Sequence, residues 1–286
     1  MTVSPPAALF DTHCHLDYIQ RQTGEFEEAL AHPEGADYVA PEAVLNRAMA
    51  EGLIGLVNPS VTPERFSDVI ALAENFSNVY AAVAVHPTDV NDILHTENWL
   101  NDLETLLSHP KVVAIGETGL DYYREASRAP EQVALQKQCF AALLALGRKY
   151  NLPVIVHDRE AHEDVATMIA ATPGVRGIMH CFSGDLAFAQ RMIDLDFYIS
   201  FAGNITFKKT DMLQQAAREI PLERLLVETD APFLSPVPFR GKPNEPARVR
   251  LVVEKIAELR NLPYEEVAAA TTQNARKVFG IGPSPC

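Results

Sequence analysis

The feature that most constrains this chain is a repeat of short apolar runs, each closed by a polar residue and followed by a segment with helical periodicity. There are eight such runs: 7–15, 54–58, 79–87, 112–119, 152–158, 176–182, 196–201 and 224–230. A strand followed by a helix, repeated, requires a parallel sheet with right-handed crossovers. Eight repeats in 286 residues predict an α/β fold of the (β/α)8 TIM-barrel type.

The segments between the runs predict helices at 41–51, 64–76, 97–108, 131–150, 161–172, 185–195, 209–218, 246–260 and 264–278. The stretch 17–41 contains two glycines and two prolines, and we expect a long first loop there. A doubly wound open sheet is the alternative architecture, but no glycine-rich phosphate-binding motif follows any of the runs. We expect one domain over residues 1–286.

Composition narrows the class of protein. A formal net charge of −14 argues against a protein that coats nucleic acid through bulk charge, although it does not exclude a local cationic site. Four widely spaced cysteines are typical of a reduced chain, so we expect a cytoplasmic location. We see no secretory signal, no membrane-spanning run and no sign of an obligate protein partner.

Residues that bind metals fall at the ends of six of the eight runs. They are His13, His15, His86, Glu117, His157, His180 and Asp230. In a (β/α)8 barrel the carboxyl ends of the strands meet at one rim, where catalytic groups lie. We therefore expect these side chains to form a single site.

Six of these residues predict a two-metal centre. Imidazole and carboxylate groups suit Zn²⁺, Mn²⁺ or Fe²⁺, and to a lesser degree Mg²⁺. Six ligands are too many for one catalytic ion with an open position, so we expect Glu117 to bridge two ions. His13, His15 and Asp230 would complete one site, and His157 and His180 the other. Two such ions lie about 3.5–4 Å apart, share a hydroxide and clamp both oxygens of a displacement.

The predicted centre favours an anionic substrate. Two divalent cations against the carboxylates of Glu117 and Asp230 leave a local charge of about +2, which suits phosphate esters. Asp230 could also take the proton from the attacking water as a general base, or serve only as a ligand. Glu228, two residues earlier, either orients a histidine from behind or is a paired acid of the barrel core.

Several further residues are candidate substrate contacts. His86 is a candidate contact, with a structural or supporting role as the alternative. Arg159 and Arg240 could grip a phosphodiester. Other rim candidates are Arg124, Lys208, Lys209 and Lys242 as cations and Tyr122, Tyr123 and Phe239 as stacking rings, although surface or packing roles are as common for each. We expect Cys14 and Cys181 to point away from the centre, as strand alternation requires.

Seven blocks of sequence resemble the successive signatures of the TatD family of metal-dependent hydrolases, within the amidohydrolase-like superfamily. The blocks are DTHCHLD, GETGLDYY, PVIVHDREA, MHCFSG, SFAGNITFK, ETDAPFLSP and RGKPNEP, and the resemblance runs from about residue 9 to 280. It implies a TIM-type barrel with a two-metal site whose ligands are His13, His15, Glu117, His157, His180 and Asp230. It also implies DNase activity, commonly 3′ to 5′ exonuclease on single-stranded DNA or RNA, with Mg²⁺, Mn²⁺ or Zn²⁺. The one departure is Asp158, whose charge we expect to shift substrate preference.

Three functions from different classes follow. The leading hypothesis is a phosphodiesterase acting on nucleic acid through a bridging hydroxide. The runner-up is an amidohydrolase or deacylase that uses the same binuclear site on a carbonyl group, because this fold and centre serve both chemistries. The third is a non-catalytic metal-binding or scaffold protein, against which the complete ligand set argues.

Overall fold

The computed structural model describes residues 6–21, 39–93 and 98–282. Eight strands occur in this part of the chain: β1 Leu9–Asp11, β2 Leu53–Pro59, β3 Val79–Val83, β4 Val112–Asp121, β5 Val154–Arg159, β6 Gly177–Met179, β7 Phe197–Phe201 and β8 Leu225–Val227. The α-helices are α1 Leu16–Arg21, α2 Pro41–Ala50, α3 Phe66–Asn75, α4 Val90–Ile93, α5 Trp99–Leu106, α6 Pro130–Tyr150, α7 His162–Ala170, α8 Leu186–Asp194, α9 Asp211–Glu219, α10 Val249–Arg260 and α11 Tyr264–Phe279. Within these described ranges, no helix is long and apolar enough to cross a membrane.

The strands form one parallel sheet in the order β1 to β8. The last strand returns to the first through bonds just beyond the strand ends. Thr12 N–H donates to the carbonyl of Val227 at 3.1 Å, and Asp230 N–H donates to the carbonyl of His13 at 2.9 Å. A parallel bridge between Cys14 and Ala231 continues this contact. The predicted single-domain (β/α)8 barrel is confirmed.

Two apolar layers hold the barrel together. Inside it, side chains from the strands pack into a closed core that includes Phe10, Val57, Ile155 and Leu226. Phe279 of α11 closes the amino-terminal end, 6.0 Å from the ring of Phe10. Outside it, the helices bury their apolar faces against the other side of each strand. Strands covered on both faces are apolar throughout, which is why the eight runs are visible in the sequence.

The structure corrects two predicted boundaries. Residues Leu16–Arg21 form a helix where a loop was predicted, because Leu16 and Ile19, three residues apart, both pack into the core. The rest of the predicted loop, at 22–38, lies outside the described residues. Several strands are also shorter than the apolar runs, which continue past the strand tips as irregular backbone. Because parallel strands point the same way, these continuations gather at one mouth of the barrel.

Candidate metal centre

The seven residues predicted to share a site lie together at the carboxyl-terminal mouth. Only Glu117 and His157 belong to strands, β4 and β5. The others lie on the irregular segments that continue past β1, β3, β6 and β8: His13, His15, His86, His180 and Asp230. Asp230 has a φ of 54°, a left-handed conformation that aspartate tolerates better than most residues. The structure therefore brings together the side chains that the sequence placed at one rim, although most of them are not in strands.

One group of four candidate ligand atoms comprises one atom each from His13, His15, Glu117 and Asp230. The Nε2 atoms of His13 and His15 are 3.1 Å apart. Glu117 Oε2 lies 3.3 Å from the first and 3.6 Å from the second, and Asp230 Oδ1 lies 3.8 Å from each. A tetrahedral ion with bonds of about 2.1 Å separates its ligands by roughly 3.4 Å. The donor set and its spacing fit a divalent cation.

A second group faces the other oxygen of Glu117. From Glu117 Oε1, the Nδ1 of His157 is 2.8 Å away and the Nε2 of His180 is 3.5 Å away. His86 Nε2 lies 3.4 Å from the same oxygen. These separations also match those between ligands of one ion. The two oxygens of Glu117 thus face different histidines, and His180 borders both groups, since its Nε2 also lies 4.0 Å from Asp230 Oδ1. This geometry suits a bridging carboxylate.

Carboxylates support two of the candidate ligands from behind. Glu228 Oε1 lies 2.8 Å from His180 Nδ1 and accepts the N–H of Cys181 at 2.8 Å. Of the two roles left open for Glu228, the structure favours orientation of a histidine. Asp121 Oδ2 lies 3.1 Å from His157 Nε2. Sequence reasoning missed Asp121, although it follows Glu117 by four residues in β4, and strand periodicity places both on one face.

Asp11 is a second residue that sequence reasoning missed. Its side chain is fully buried and accepts bonds from Thr229 N–H at 2.9 Å and Thr229 Oγ1–H at 2.6 Å. It also accepts the N–H of His13 at 3.3 Å. Burial raises the pKa of Asp11 to about 8, even though the bonds from Thr229 favour its ionised form. Asp11 therefore ties the His13 segment to the segment that carries Asp230.

The imidazoles of the centre have opposite protonation behaviour. Burial, together with charge on His180, lowers the pKa of His13 to about 3, so its ring is neutral and its lone pair is available. Burial also acts to lower the pKa of His180, but the carboxylates of Glu228 and Glu117 outweigh it and raise this pKa to about 10. The pKa of His86 rises to about 9, because Glu117 and Asp89 outweigh burial in the same way.

The two carboxylates of the centre also differ. Burial acts to raise the pKa of Glu117, but the imidazoles of His180 and His86 hold it well below its ordinary value. Burial raises the pKa of Asp230 to about 6, and the opposing effects of His180 and His15 are smaller. Glu117 therefore favours its ionised form, whereas Asp230 can exchange a proton near neutral pH.

The three predicted substrate contacts, His86, Arg159 and Arg240, lie around this mouth and differ in the groups that they contact. His86 Nδ1 lies 2.6 Å from Thr88 Oγ1, and its Nε2 turns toward Glu117. Arg159 is exposed and stacks on the exposed ring of Tyr123, with 3.8 Å from its guanidinium carbon to the ring centroid. Arg240, also exposed, stacks on Phe207 at 4.4 Å. All three remain candidates for contact with a substrate.

Three predicted features are engaged elsewhere. Tyr122 donates its hydroxyl to Asp164 at 2.8 Å, and the ring of Phe239 is covered by the guanidinium of Arg248 at 4.3 Å. Asp158 is buried against α7 and its Oδ2 lies 2.8 Å from His162 Nδ1. Strand alternation turns Asp158 away from the mouth and toward His162. An effect of its charge on substrate preference stays a prediction.

The two cysteines beside candidate ligands differ in burial. Cys14 is fully buried among the apolar side chains outside the barrel, as expected for a side chain that points away from the centre. Cys181 is only partly buried, and its sulfur lies within 4.8 Å of ligand atoms of His180 and Glu228. Cys181 lies beyond the end of β6 at Met179 and has a φ of 43°, so strand alternation does not set the direction of its side chain.

The chain is similar over most of its length to known metal-dependent hydrolases. A family model described as TatD related DNase matches residues 10–280. The uncharacterized metal-dependent hydrolase YabD of Bacillus subtilis is 41% identical over 275 residues, covering 96% of this chain and 99% of YabD. The uncharacterized metal-dependent hydrolase YcfH of Escherichia coli K12 is 38% identical over 278 residues, covering 96% and 97%. The crystal structure of YjjV, a TatD homologue from E. coli K12, superposes with a TM-score of 0.81 at 33% identity, covering 96% of this chain and 98% of that one.

Proposed function

The chain belongs to the family of TatD related DNases and is a metal-dependent hydrolase, and from that premise we propose that it is a deoxyribonuclease that removes nucleotides from the 3′ end of single-stranded DNA. Single-stranded RNA is a second substrate to be tested. The observation that carries the proposal is the division of the ligand atoms between the two oxygens of Glu117. Two-metal centres of this kind clamp the oxygens of a phosphoryl displacement. The reduced cysteines favour a cytoplasmic location.

The proposed centre holds two divalent ions, Mg²⁺, Mn²⁺ or Zn²⁺. His13, His15 and Asp230 would hold one, His157 and His180 the other, and Glu117 would bridge them. When bound, the ions supply an activated water and positive charge for the phosphate oxygens. Glu228 Oε1 lies 2.8 Å from His180 Nδ1 and Asp121 Oδ2 lies 3.1 Å from His157 Nε2, so each carboxylate orients its ring with the other nitrogen toward the centre.

Asp230 is the proposed general base. Its Oδ1 lies 3.8 Å from both His13 Nε2 and His15 Nε2, so it borders the space in which an attacking water would lie. Its pKa, raised by burial to about 6, leaves it ionised at neutral pH and able to take a proton. General bases with a pKa near the working pH transfer protons most effectively. Glu117 stays ionised and, through its two oxygens, contacts the histidines of both candidate metal sites.

Three residues are proposed to contact the nucleic acid. His86 carries a proton at neutral pH, because its pKa is raised to about 9 by Glu117 and Asp89 against the effect of burial, and it can donate to a phosphate oxygen. Arg159, supported by Tyr123, offers a flat cation beside an exposed ring on which a base can stack. Arg240 lies on the loop after β8 and offers a second guanidinium.

The test uses single-stranded DNA labelled at its 5′ end, with Mg²⁺ or Mn²⁺. The expected result is a ladder that shortens stepwise from the 3′ end, and a 3′-terminal phosphorothioate should slow the first step. Asp230→Asn, purified in parallel, should lose about 10²–10⁴-fold in turnover, as expected for removal of a general base. Asp194→Asn, at an exposed carboxylate that ends α8, is the matched control and should cleave normally.

Two outcomes would contradict the nuclease proposal. Equal cleavage by wild type and Asp230→Asn would identify a contaminating nuclease. Absence of cleavage, together with Asp230-dependent turnover of amides or acyl esters, would make the chain an amidohydrolase with the same centre.

A further inference from the structure

A group of exposed cations lies beside the candidate metal centre, on the loops that follow β7 and β8. We name it the cationic lip, and it consists of Lys208, Lys209, Arg240 and Lys242. The chain has a formal net charge of −14, so this local excess of positive charge contrasts with the rest of the molecule. Within the described ranges, none of the four forms an ion pair with a carboxylate.

The two loops that carry the four cations are fastened to each other. Val237 N–H on the second loop donates to Thr206 Oγ1 on the first at 2.9 Å. A Cβ at Gly203 would lie 2.0 Å from the carbonyl oxygen of Leu234, so only glycine permits this approach. The guanidinium of Arg240 lies over the ring of Phe207, which directly precedes the two lysines in the chain.

The second loop is also fastened to the turn that carries Asp230. Phe233 N–H donates to the Asp230 carbonyl at 2.8 Å. The amide of Asn244 donates to the carbonyls of Thr229 and Phe233 at 2.9 and 2.8 Å. The cationic lip therefore has a fixed position relative to the candidate metal centre.

We propose that the cationic lip binds the sugar-phosphate backbone of a single nucleic-acid strand, at phosphates beyond the one that is hydrolysed. This inference rests on the function proposed above. Cations without carboxylate partners attract a regularly charged polyanion, and contacts with phosphates position a strand without reading its sequence. The lip would therefore favour long strands over small phosphodiesters, which have no second phosphate to bind.

The test compares two charge-reversal variants, the double variant Lys208→Glu/Lys209→Glu and the single variant Lys242→Glu. A matched control is Lys277→Glu, an exposed lysine in the last turn of α11, two residues before the Phe279 that closes the opposite end of the barrel. Substrates are a single-stranded oligodeoxynucleotide and bis(4-nitrophenyl) phosphate. For the double variant we expect KM for the oligonucleotide to rise about tenfold, and the slope of log KM against log salt to fall by about 0.7 for each phosphate that the variant no longer neutralises.

The expected signature is selective. The change in kcat/KM should be far larger on the oligonucleotide than on bis(4-nitrophenyl) phosphate, and Lys277→Glu should match wild type on both. An unchanged KM and salt slope, or equal decreases in kcat/KM on both substrates, would overturn the proposal that the cationic lip binds the strand. The nuclease proposal would stay in place. Should wild type cleave neither substrate, the nuclease proposal fails. Fluorescence anisotropy of the labelled oligonucleotide would then still test the cationic lip. The proposal requires that the variants bind the oligonucleotide less tightly than wild type does.

Discussion

The Nδ1 atom of His180 lies 2.8 Å from the Oε1 atom of Glu228, and both side chains are buried beneath the mouth of the barrel. The same carboxylate oxygen accepts the N–H of Cys181, which fixes the segment that follows β6. A carboxylate behind a histidine sets the orientation and basicity of its other nitrogen. Here that nitrogen faces Glu117. Glu228 therefore sets the orientation of a candidate ligand without being one of the proposed ligands itself.

Replacing Glu228 should therefore weaken metal binding. We expect Glu228→Gln to lower the affinity of the apoprotein for Mn²⁺ or Zn²⁺ by about 10–100-fold, since that is the usual cost of losing such a partner. Isothermal titration calorimetry measures the affinity, and circular dichroism checks the fold. Glu265→Gln, at an exposed position in the first turn of α11, is the control. A Glu228→Gln protein with unchanged affinity would show that the buried pair is only structural.

Metal binding should release protons at neutral pH. Burial acts to lower the pKa of His180, but the facing carboxylates of Glu228 and Glu117 outweigh it and raise this pKa to about 10. A proton on His180 must leave before its Nε2 can bind an ion, so apparent metal affinity should rise with pH and fall in acid. Intrinsic imidazole pKa values of about 6.5 would place this loss of affinity below about pH 6, and the raised pKa extends it to neutral pH.

Calorimetry at pH 7 in buffers of different ionisation enthalpy measures this proton release. About one proton or more should be released per protein in wild type, and His180→Gln should release fewer. Binding heats that do not depend on the buffer would contradict the prediction.

The pair formed by His162 and Asp158 should make stability depend on pH. The hydrogen bond that His162 Nδ1–H donates to Asp158 Oδ2 is the largest influence on the pKa of His162 and raises it above the ordinary value. A raised pKa in the folded state means that the stabilisation is complete below about pH 6.5 and is lost as pH rises through the folded-state value. His162→Gln should therefore lower the melting temperature more at pH 5.5 than at pH 9, measured on metal-free protein by differential scanning calorimetry. Equal decreases at both pH values would exclude this linkage.

The contact at Gly203 should be sensitive to a single methyl group. A Cβ there would lie 2.0 Å from the Leu234 carbonyl oxygen and 2.9 Å from the Pro236 nitrogen, neither of which can move without shifting the loop after β8. We expect Gly203→Ala to lower the free energy of unfolding by about 1–3 kcal/mol, the usual cost of overpacking. Urea denaturation measures the change. Gly282→Ala, where no atom lies within 4 Å of a Cβ, is the control, and comparable stability of the two variants would refute the prediction.

The fold was predictable because its signals are local. A strand that is covered on both faces must be apolar over its whole length, and a helix on the outside must show a period of 3.6 residues. The Leu16–Arg21 helix escaped prediction because it is short and its two buried residues follow directly on the candidate ligands. Four strands, β1, β3, β6 and β8, end earlier than their apolar runs, since irregular backbone beyond a strand tip can be buried as well as the strand itself.

The sequence by itself determined the barrel and the positions of His13, Glu117 and Asp230 at its mouth, because residue type and strand position are properties of short segments. Only the tertiary structure decided which oxygen of Glu117 faces which histidines, and which carboxylates support them. Asp11 and Thr229, joined at 2.6 Å, are 218 residues apart in the chain. Such contacts, and the pKa values that burial creates, exist only once β8 has closed on β1, because both depend on distances that no local pattern encodes.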